Sequence, residues 1–384
     1  MSDTQKHTKP NVPDLRFPGF CGEWEQHLLS EYLEFKNGLN PSAKSFGEGI
    51  KFISVMDILN NPYITYDCIR ASVNASEKEK QEFNVEYGDI LFQRSSETLE
   101  DVGHANVYLD KKPALFGGFT IRGKKKGDYN PLFFKYLLDS PKARKKVIVK
   151  GAGAQHFNIG QEGLSSVSLY FPSKQEQKKI AELFELLDQR IAIQNKVIEK
   201  YESLIKAITR CLVHCNGHQC FLGDIAEIYQ PKTITGLEMS NGGQYPVFGA
   251  NGIIGHYKDY NHASPQICIA CRGNTCGVLN YSLPFSWITG NSMVINVDSA
   301  SGVNKRFLFH LLSTVEYSPL ISGSGQPQIV RGPLRKLRIT LPDKQYQDKN
   351  AQIIDCLIEK SNVEKALLRK LQTQKNFFLT AVFI

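Results

Sequence analysis

The segment FPSKQEQKKIAELFELLDQRI, starting at Phe171, returns 170 residues later as LPDKQYQDKNAQIIDCLIEKS, starting at Leu341. Pro172, Lys174, Gln175, Gln177, Lys179, Ala181 and Leu187 recur without a gap as Pro342, Lys344, Gln345, Gln347, Lys349, Ala351 and Leu357. A repeat on this period makes the chain two copies of one plan. The likeness extends upstream at slightly different offsets. PLFFKYLL (131–138) matches KRFLFHLL (305–312), GAGAQHFNI (151–159) resembles GSGQPQIVR (323–331), and LSEYLEF (29–35) resembles LGDIAEI (222–228). Each half therefore runs from a mixed, strand-rich block into a long helix.

The helices carry a heptad seam. From Ile180 the core positions are Phe184, Leu187, Ile191, Gln194, Ile198, Tyr201, Ile205, Ile208 and Leu212, all apolar except Gln194. A sustained 4-3 spacing is the seam of a coiled coil. Pro172 and Ser173 mark the start, with Glu176 as a capping-box partner. Residues 174–213 at 1.5 Å each span about 60 Å. The second seam runs from Asn350 to Val382 and keeps Ile354, Leu357, Leu368, Leu371, Phe378 and Val382, interrupted by Asn350, Ser361, Glu364 and Lys375. A lone seam leaves apolar surface in water, so each helix is the natural partner of the other. The expected fold is α+β: two strand-rich blocks joined by two long helices in an antiparallel coiled coil, with pseudo-two-fold symmetry. IKFISVMDI, YGDILFQR, ALFGGFTIR, QICIACR, WITGNSMVINV and LRKLRITLP read as strands. NPLFFKYLLDSPKARKKVIV and VNKRFLFHLLSTV each read as one amphipathic helix.

Charge narrows the function. The 46 Lys and Arg outweigh 38 Asp and Glu by eight, and residues 122–150 hold ten of the cations against Asp128 and Asp139 alone. Such a run points to a polyanion partner, the alternative being a solvated helix and its turns. No apolar stretch approaches the ~18 residues of a membrane span, and the N-terminus lacks an apolar signal core. The expectation is a cytoplasmic chain with no membrane partner, whose nine cysteines are reduced thiols.

Catalytic and metal signals are weak. Cys211, His214, Cys215, His218 and Cys220 lack a second ligand pair at zinc-site spacing, and Cys268, Cys271 and Cys276 sit in a strand and turn where thiols pack as small apolar groups. NNPY (60–63) has Asn61 where an amino-methyltransferase motif needs proline, GANGIIG (249–255) has the wrong glycine spacing, and no phosphate loop occurs. Neither catalytic residues nor metal ligands are assigned, and Trp24 and Trp287 read as core.

The order of block and PxKxxQ helix, taken twice, resembles the specificity subunit of type I restriction–modification enzymes over nearly the whole chain. The carriers are PSKQEQKKIAELFELLD and PDKQYQDKNAQ, with QYPVFGANGIIGHYKDY, IACRGNTCGVLNY and GSGQPQIVRGPLRKLRITLP in the second block. The counterpart of RGNTCG in the first block is FQRSSETLEDVGHANV. The resemblance implies a non-catalytic chain with no cofactor of its own. It implies an N-terminal tail (1–20), target recognition domains at 21–172 and 216–341, and spacer helices at 173–215 and 342–384. Each domain is then implied to read one half of a bipartite, asymmetric site on double-stranded DNA. The helices are implied to set the spacer and to dock two modification subunits, which carry S-adenosylmethionine and methylate adenine N6. Two restriction (translocase–endonuclease) subunits are implied to complete the complex. The competing reading is a coiled-coil scaffold whose blocks bind protein partners.

Base reading needs Arg for guanine and Asn or Gln for adenine, on turns where the backbone can approach DNA. The candidates are Arg94, Gln155, His156 and Asn158 in the first block, and Asn251, Arg272, Asn274, Gln326, Gln328 and Arg331 in the second. The alternative for each is a turn residue bonding its own backbone. Arg122, Lys124, Lys125, Lys126, Lys150 and Arg335 are the phosphate candidates, with Lys124–Lys126 expected on an exposed turn between Gly123 and Gly127.

Overall fold

The computed structural model describes residues 11–236, 239, 243–323 and 325–384. The first ten residues of the expected 1–20 tail lie outside that set. The chain divides into two units, one comprising the residues up to Asn195 with Leu367–Ile384, the other Lys196–Ala366. The first long helix is Lys174–Val213 and the second is Lys344–Ala381, so each unit holds a part of both. Within the first unit the start of the first helix lies against the end of the second: Lys375 pairs with Asp188 at 2.5 Å, and Phe184 stacks on Phe383. Within the second unit the opposite ends meet, Lys365 pairing with Glu202 at 2.6 Å and the Tyr346 hydroxyl donating to the Leu212 carbonyl. The helix segments are thus antiparallel in each unit, and all seam positions are buried or half-buried. The Ser173 hydroxyl accepts the Glu176 N–H at 3.4 Å, but the Glu176 carboxylate does not complete a capping box. Arg16 takes it in a bidentate pair at 2.8 Å.

The repeated PxKxxQ motif is explained by its glutamine. Gln177 is 2% exposed and Gln347 1% exposed. Gln177 Nε2 donates to the Pro172 carbonyl, and its Oε1 accepts the backbone N–H of Asn130, both at 3.0 Å. Asn130 in turn caps the helix Pro131–Asp139 by accepting the Phe133 N–H. In the second unit, Gln347 donates to the carbonyls of Pro342 (2.9 Å) and Gly302 (3.1 Å) and accepts the Asn304 N–H at 2.8 Å. Asn304 caps Lys305–Leu312 through the Phe307 N–H. One amide thus joins the start of a long helix to the start of the helix in its block.

The sheets repeat as well. In the first unit the antiparallel order is Leu33–Asn37, Thr120–Lys125, Ile90–Gln93, Ala105–Val107. In the second it is Glu227–Tyr229, Ser292–Asn296, Ile267–Ala270, Leu279–Tyr281. Each unit adds a sheet built on a parallel pair, Phe46–Ile53 with Ala114–Phe116 and Tyr245–Gly249 with Trp287–Ile288. The inner strands Ile90–Gln93 and Ile267–Ala270 are buried along their whole length, which is why they read as continuous apolar runs rather than alternating ones. Trp24 is core as expected, whereas Trp287 is half-buried with its indole N–H on the Lys232 carbonyl.

Three local readings are corrected. IKFISVMDI is a strand only to Ile53, because Ser54 and Asp57 form a capping box that starts the helix Val55–Asn60. NPLFFKYLLDSPKARKKVIV is two helices, Pro131–Asp139 and Pro141–Ile148. Pro141 has no N–H to continue the first, and the Ser140 hydroxyl caps the second. Lys124 and Lys125 are not on a turn: they end the strand Thr120–Lys125, in register with Glu34 and Leu33.

Two outcomes follow from these bonds. Gln177→Ala or Gln347→Ala strands a buried N–H and a carbonyl, and is expected to cost about 1–3 kcal/mol in denaturant unfolding. Asp355 accepts from Arg306 Nε (2.9 Å) and from His310 Nε2 (2.7 Å). Burial acts to raise its pKa, but these bonds outweigh it and hold the carboxyl at about 2, below its ordinary 3.8. Its contribution to stability is therefore complete above about pH 4 and lost as pH falls toward 2. The destabilisation by Asp355→Asn should be full at neutral pH and shrink across that window.

Candidate nucleic-acid interface

The basic run at 122–150 is largely spent inside its own block. Arg122 is 6% exposed and its guanidinium donates to the Asn84 carbonyl and side chain. Lys125 Nζ lies over the Tyr129 ring and donates to the Tyr129 carbonyl, and burial lowers its pKa. Lys135 pairs with Asp139 at 2.6 Å, Lys142 donates to the Phe383 carbonyl, and Lys146 donates to that of Ser168. Arg144 donates to the carbonyls of Glu100 and Val102, both at 2.8 Å, and so pins the loop that replaces RGNTCG. Lys126, Lys145 and Lys150 stay exposed, and half-buried Lys124 reaches only within 3.9 Å of Glu86. Arg122 and Lys125 are therefore spent inside the block and are not phosphate ligands.

In the second unit, three separated motifs converge. Arg272 is bridged to Gln328, the Gly273 N–H donates to the Pro327 carbonyl at 3.0 Å, and the Ile329 N–H donates to that of Cys271 at 3.1 Å. Gly323 has a φ of +95°, and a Cβ there would lie 2.5 Å from the Gln326 carbonyl oxygen, so glycine is required at that position. Arg272, Asn274, Gln326 and Gln328 are exposed, and their side chains have no hydrogen-bond or ion-pair partner among the described residues. Asn251 is exposed at the tip of the hairpin closed by Gly249 and Gly252, and Asn280 Nδ2 ties the Ala250 carbonyl to the strand after the 272–277 turn. Arg331 opens the short helix Arg331–Arg335, exposed beside that rim. Arg335, exposed at its other end, lies over Gly223. Cys268 and Cys271 are buried, and burial pushes the Cys268 thiol up to about 12, as suits a packed apolar group.

The first unit has the same frame with other side chains. The Arg94 N–H donates to the Phe119 carbonyl (2.9 Å), and the Arg94 carbonyl accepts the Ile159 N–H (3.0 Å). In the second unit Cys271 makes the matching bonds, to Asn291 (3.0 Å) and from Ile329. Backbone bonding thus aligns Arg94 with Cys271, Ser95 with Arg272, and Asn158 with Gln328. This corrects the register: Gly153 matches Gly323, so the 170-residue offset of the helices already holds in this loop. Arg94 is half-buried and its Nη1 donates to the Gly118 carbonyl. Asn158 accepts from the Ser95 hydroxyl at 2.5 Å and donates to the His156 carbonyl, so it serves its own loop. Gln155 and His156 are exposed and free of side-chain partners among the described residues. Lys150 is exposed just before this loop.

Sequence reading missed the turn residues Phe119 and Asn291, which border Arg94 and Cys271. Phe119 is 72% exposed and Asn291 is exposed. The signal was faint: GGF and TGN each interrupt an apolar run that becomes two strands.

A family model described as "Type I restriction modification DNA specificity domain" matches residues 22–203 and 219–373. The type I restriction enzyme MjaVIII specificity subunit of Methanocaldococcus jannaschii is 24% identical over 93% of this chain and 92% of its own length. The EcoprrI specificity subunit of Escherichia coli is 31% identical over 29% of this chain, and the match spans only 27% of that protein. The solved S subunit of M. genitalium has the same fold, with a TM-score of 0.64 at 17% identity, covering 97% of this chain and 99% of that one. Among the described residues, no helix is long and apolar enough to cross a membrane and no group of side chains is placed to hold a metal ion. With both halves matched by one specificity-domain model, the chain belongs to the type I restriction–modification DNA specificity family.

Proposed function

We propose that this chain directs a type I restriction–modification complex to a bipartite, asymmetric DNA site. One target recognition domain is 21–172 and the other is 216–341; each reads one half-site. The helices at 173–215 and 342–384 set the spacer and dock two modification subunits. Those subunits carry S-adenosylmethionine and methylate adenine N6, and two restriction subunits join them in the full complex. This chain supplies no catalytic group and no cofactor.

One observation carries the reading. The two blocks share a backbone frame around Arg94 and Cys271 yet present different exposed side chains from it. A reader built this way takes two unlike sequences in one geometry. The discrimination of two small readers adds, each correct base pair being worth roughly 1–3 kcal/mol against a mismatch. A solved relative with a TM-score of 0.59 comes from work on "complex assembly" of a type I system, which supports the subunit partners. The second block supplies the strongest direct readers, since Arg272, Asn274, Gln326 and Gln328 share one exposed rim.

Mapping N6-methyladenine in the host genome with and without the gene tests the reading. Loss of one gapped, asymmetric motif is the expected result. An unchanged methylome, with the modification gene expressed, overturns it in favour of a protein-binding scaffold. Arg272→Ala should relax one half-site only, at a cost of about 1–3 kcal/mol in binding of the complex to a duplex carrying that motif. Lys150→Ala should instead weaken all duplexes alike and lower the slope of log affinity against log salt by about 1.

A further inference from the structure

In each block the turn that leads from the sheet with the parallel pair into the antiparallel sheet carries an exposed side chain. In the first block it is Gly117-Gly118-Phe119, between Ala114–Phe116 and Thr120–Lys125. In the second it is Thr289-Gly290-Asn291, between Trp287–Ile288 and Ser292–Asn296. Matching bonds close the two turns: Thr120 N–H donates to the Gly117 carbonyl at 2.9 Å, and Ser292 N–H to that of Thr289 at 3.1 Å. The following residues, Thr120 and Ser292, are both fully buried. Both middle glycines are walled in: a Cβ on Gly118 would lie 1.8 Å from Asn40 Oδ1, and one on Gly290 2.6 Å from Thr233 Oγ1.

Each turn is closely packed at its middle glycine and leaves its last side chain exposed. A largely exposed phenylalanine forgoes the stability that burying its ring would return. Its backbone bonds place the residue beside the rim. The carbonyls of Phe119 and Asn291 accept the backbone N–H groups of Arg94 and Cys271, the strand exits that also hold Ile159 and Ile329. Each rim is thus made of three adjoining segments, and the turn is the third.

We infer that Phe119 and Asn291 are base-reading residues of their respective half-sites. The inference rests on the DNA-targeting reading above and names two of its specificity determinants. Their chemistry separates their tasks. The Asn291 amide offers a donor and an acceptor that match adenine N7 and N6, whereas the Phe119 ring suits the C5-methyl of thymine. Occupation of one turn position by an amide in one block and an aromatic ring in the other makes the two half-sites differ there.

The test uses the complex with its modification subunits and duplexes carrying the gapped motif that the complex methylates. Asn291→Ala is expected to weaken binding about tenfold, with 7-deazaadenine at one position of one half-site costing the parent complex a part of that loss, through the N7 bond alone, and the variant nothing further. In the other half-site, uracil for thymine at one position should cost the parent about fourfold, the worth of one buried methyl group, and Phe119→Ala nothing. Both side chains are exposed, so unchanged thermal unfolding should accompany each loss. If both variants bind every duplex as the parent does, or lose affinity evenly across positions, the inference falls while the targeting role stands. If the parent complex methylates no gapped motif, the targeting role itself falls.

Discussion

Two buried amides hold the architecture together. Gln177 and Gln347 sit one turn into the long helices, where helix geometry leaves backbone groups without intrahelical partners. Each uses its donor on a carbonyl before the helix and its acceptor on the N–H of the asparagine that caps the block's own helix. A glutamine side chain has both functions at one end, so it can serve two elements at once; a carboxylate or a hydroxyl of similar reach cannot do so without burying charge or losing a bond. The docking of the block helices, with Phe133 and Phe307 fully buried beneath them, starts from these bonds.

Upon that frame the blocks differ where difference is cheap. The inner strands, the Gly153 and Gly323 turns and the bonds through Arg94 and Cys271 are shared, because each satisfies buried backbone. Exposed positions on the same frame carry unrelated side chains. Elaboration follows the same rule. In the second unit the strand Tyr245–Gly249 turns directly into Gly252–Tyr257 at Asn251, whereas in the first the corresponding path from Ile53 to Ala71 contains a helix. The inserted chain lies at a hairpin tip, where it disturbs no shared bond.

The distribution of charge shows why a local count misleads. Ten cations in 122–150 suggested a polyanion surface, yet Arg122, Lys142, Arg144 and Lys146 end on carbonyl oxygens of their own unit. Long basic side chains reach several residues' distance and satisfy acceptors that no local donor can reach. Only Lys126, Lys145 and Lys150 of these cations stay exposed, and further exposed polar groups lie on turns outside the run: Arg272 and Gln326 in one block, Gln155 and His156 in the other.

The duplication, both long helices and their seams were legible in the sequence because they rest on local periodicity: a heptad repeats within reach of its own helix, and the 170-residue offset needs no tertiary information. So were Arg272 and Gln328 as candidates, since glycine-rich turns announce themselves. What could not be read was which residues meet. The pairing of Arg272 with Gln328, the register of Gly153 with Gly323, and the place of Phe119 beside Arg94 come from strands distant in sequence. The burial of Arg122 depends likewise on Asn84, which lies on another strand. Local pattern determined the elements and their order; tertiary packing decided which polar groups are consumed by the protein and which are left facing outward, because that balance is settled only when every buried donor and acceptor has found its partner.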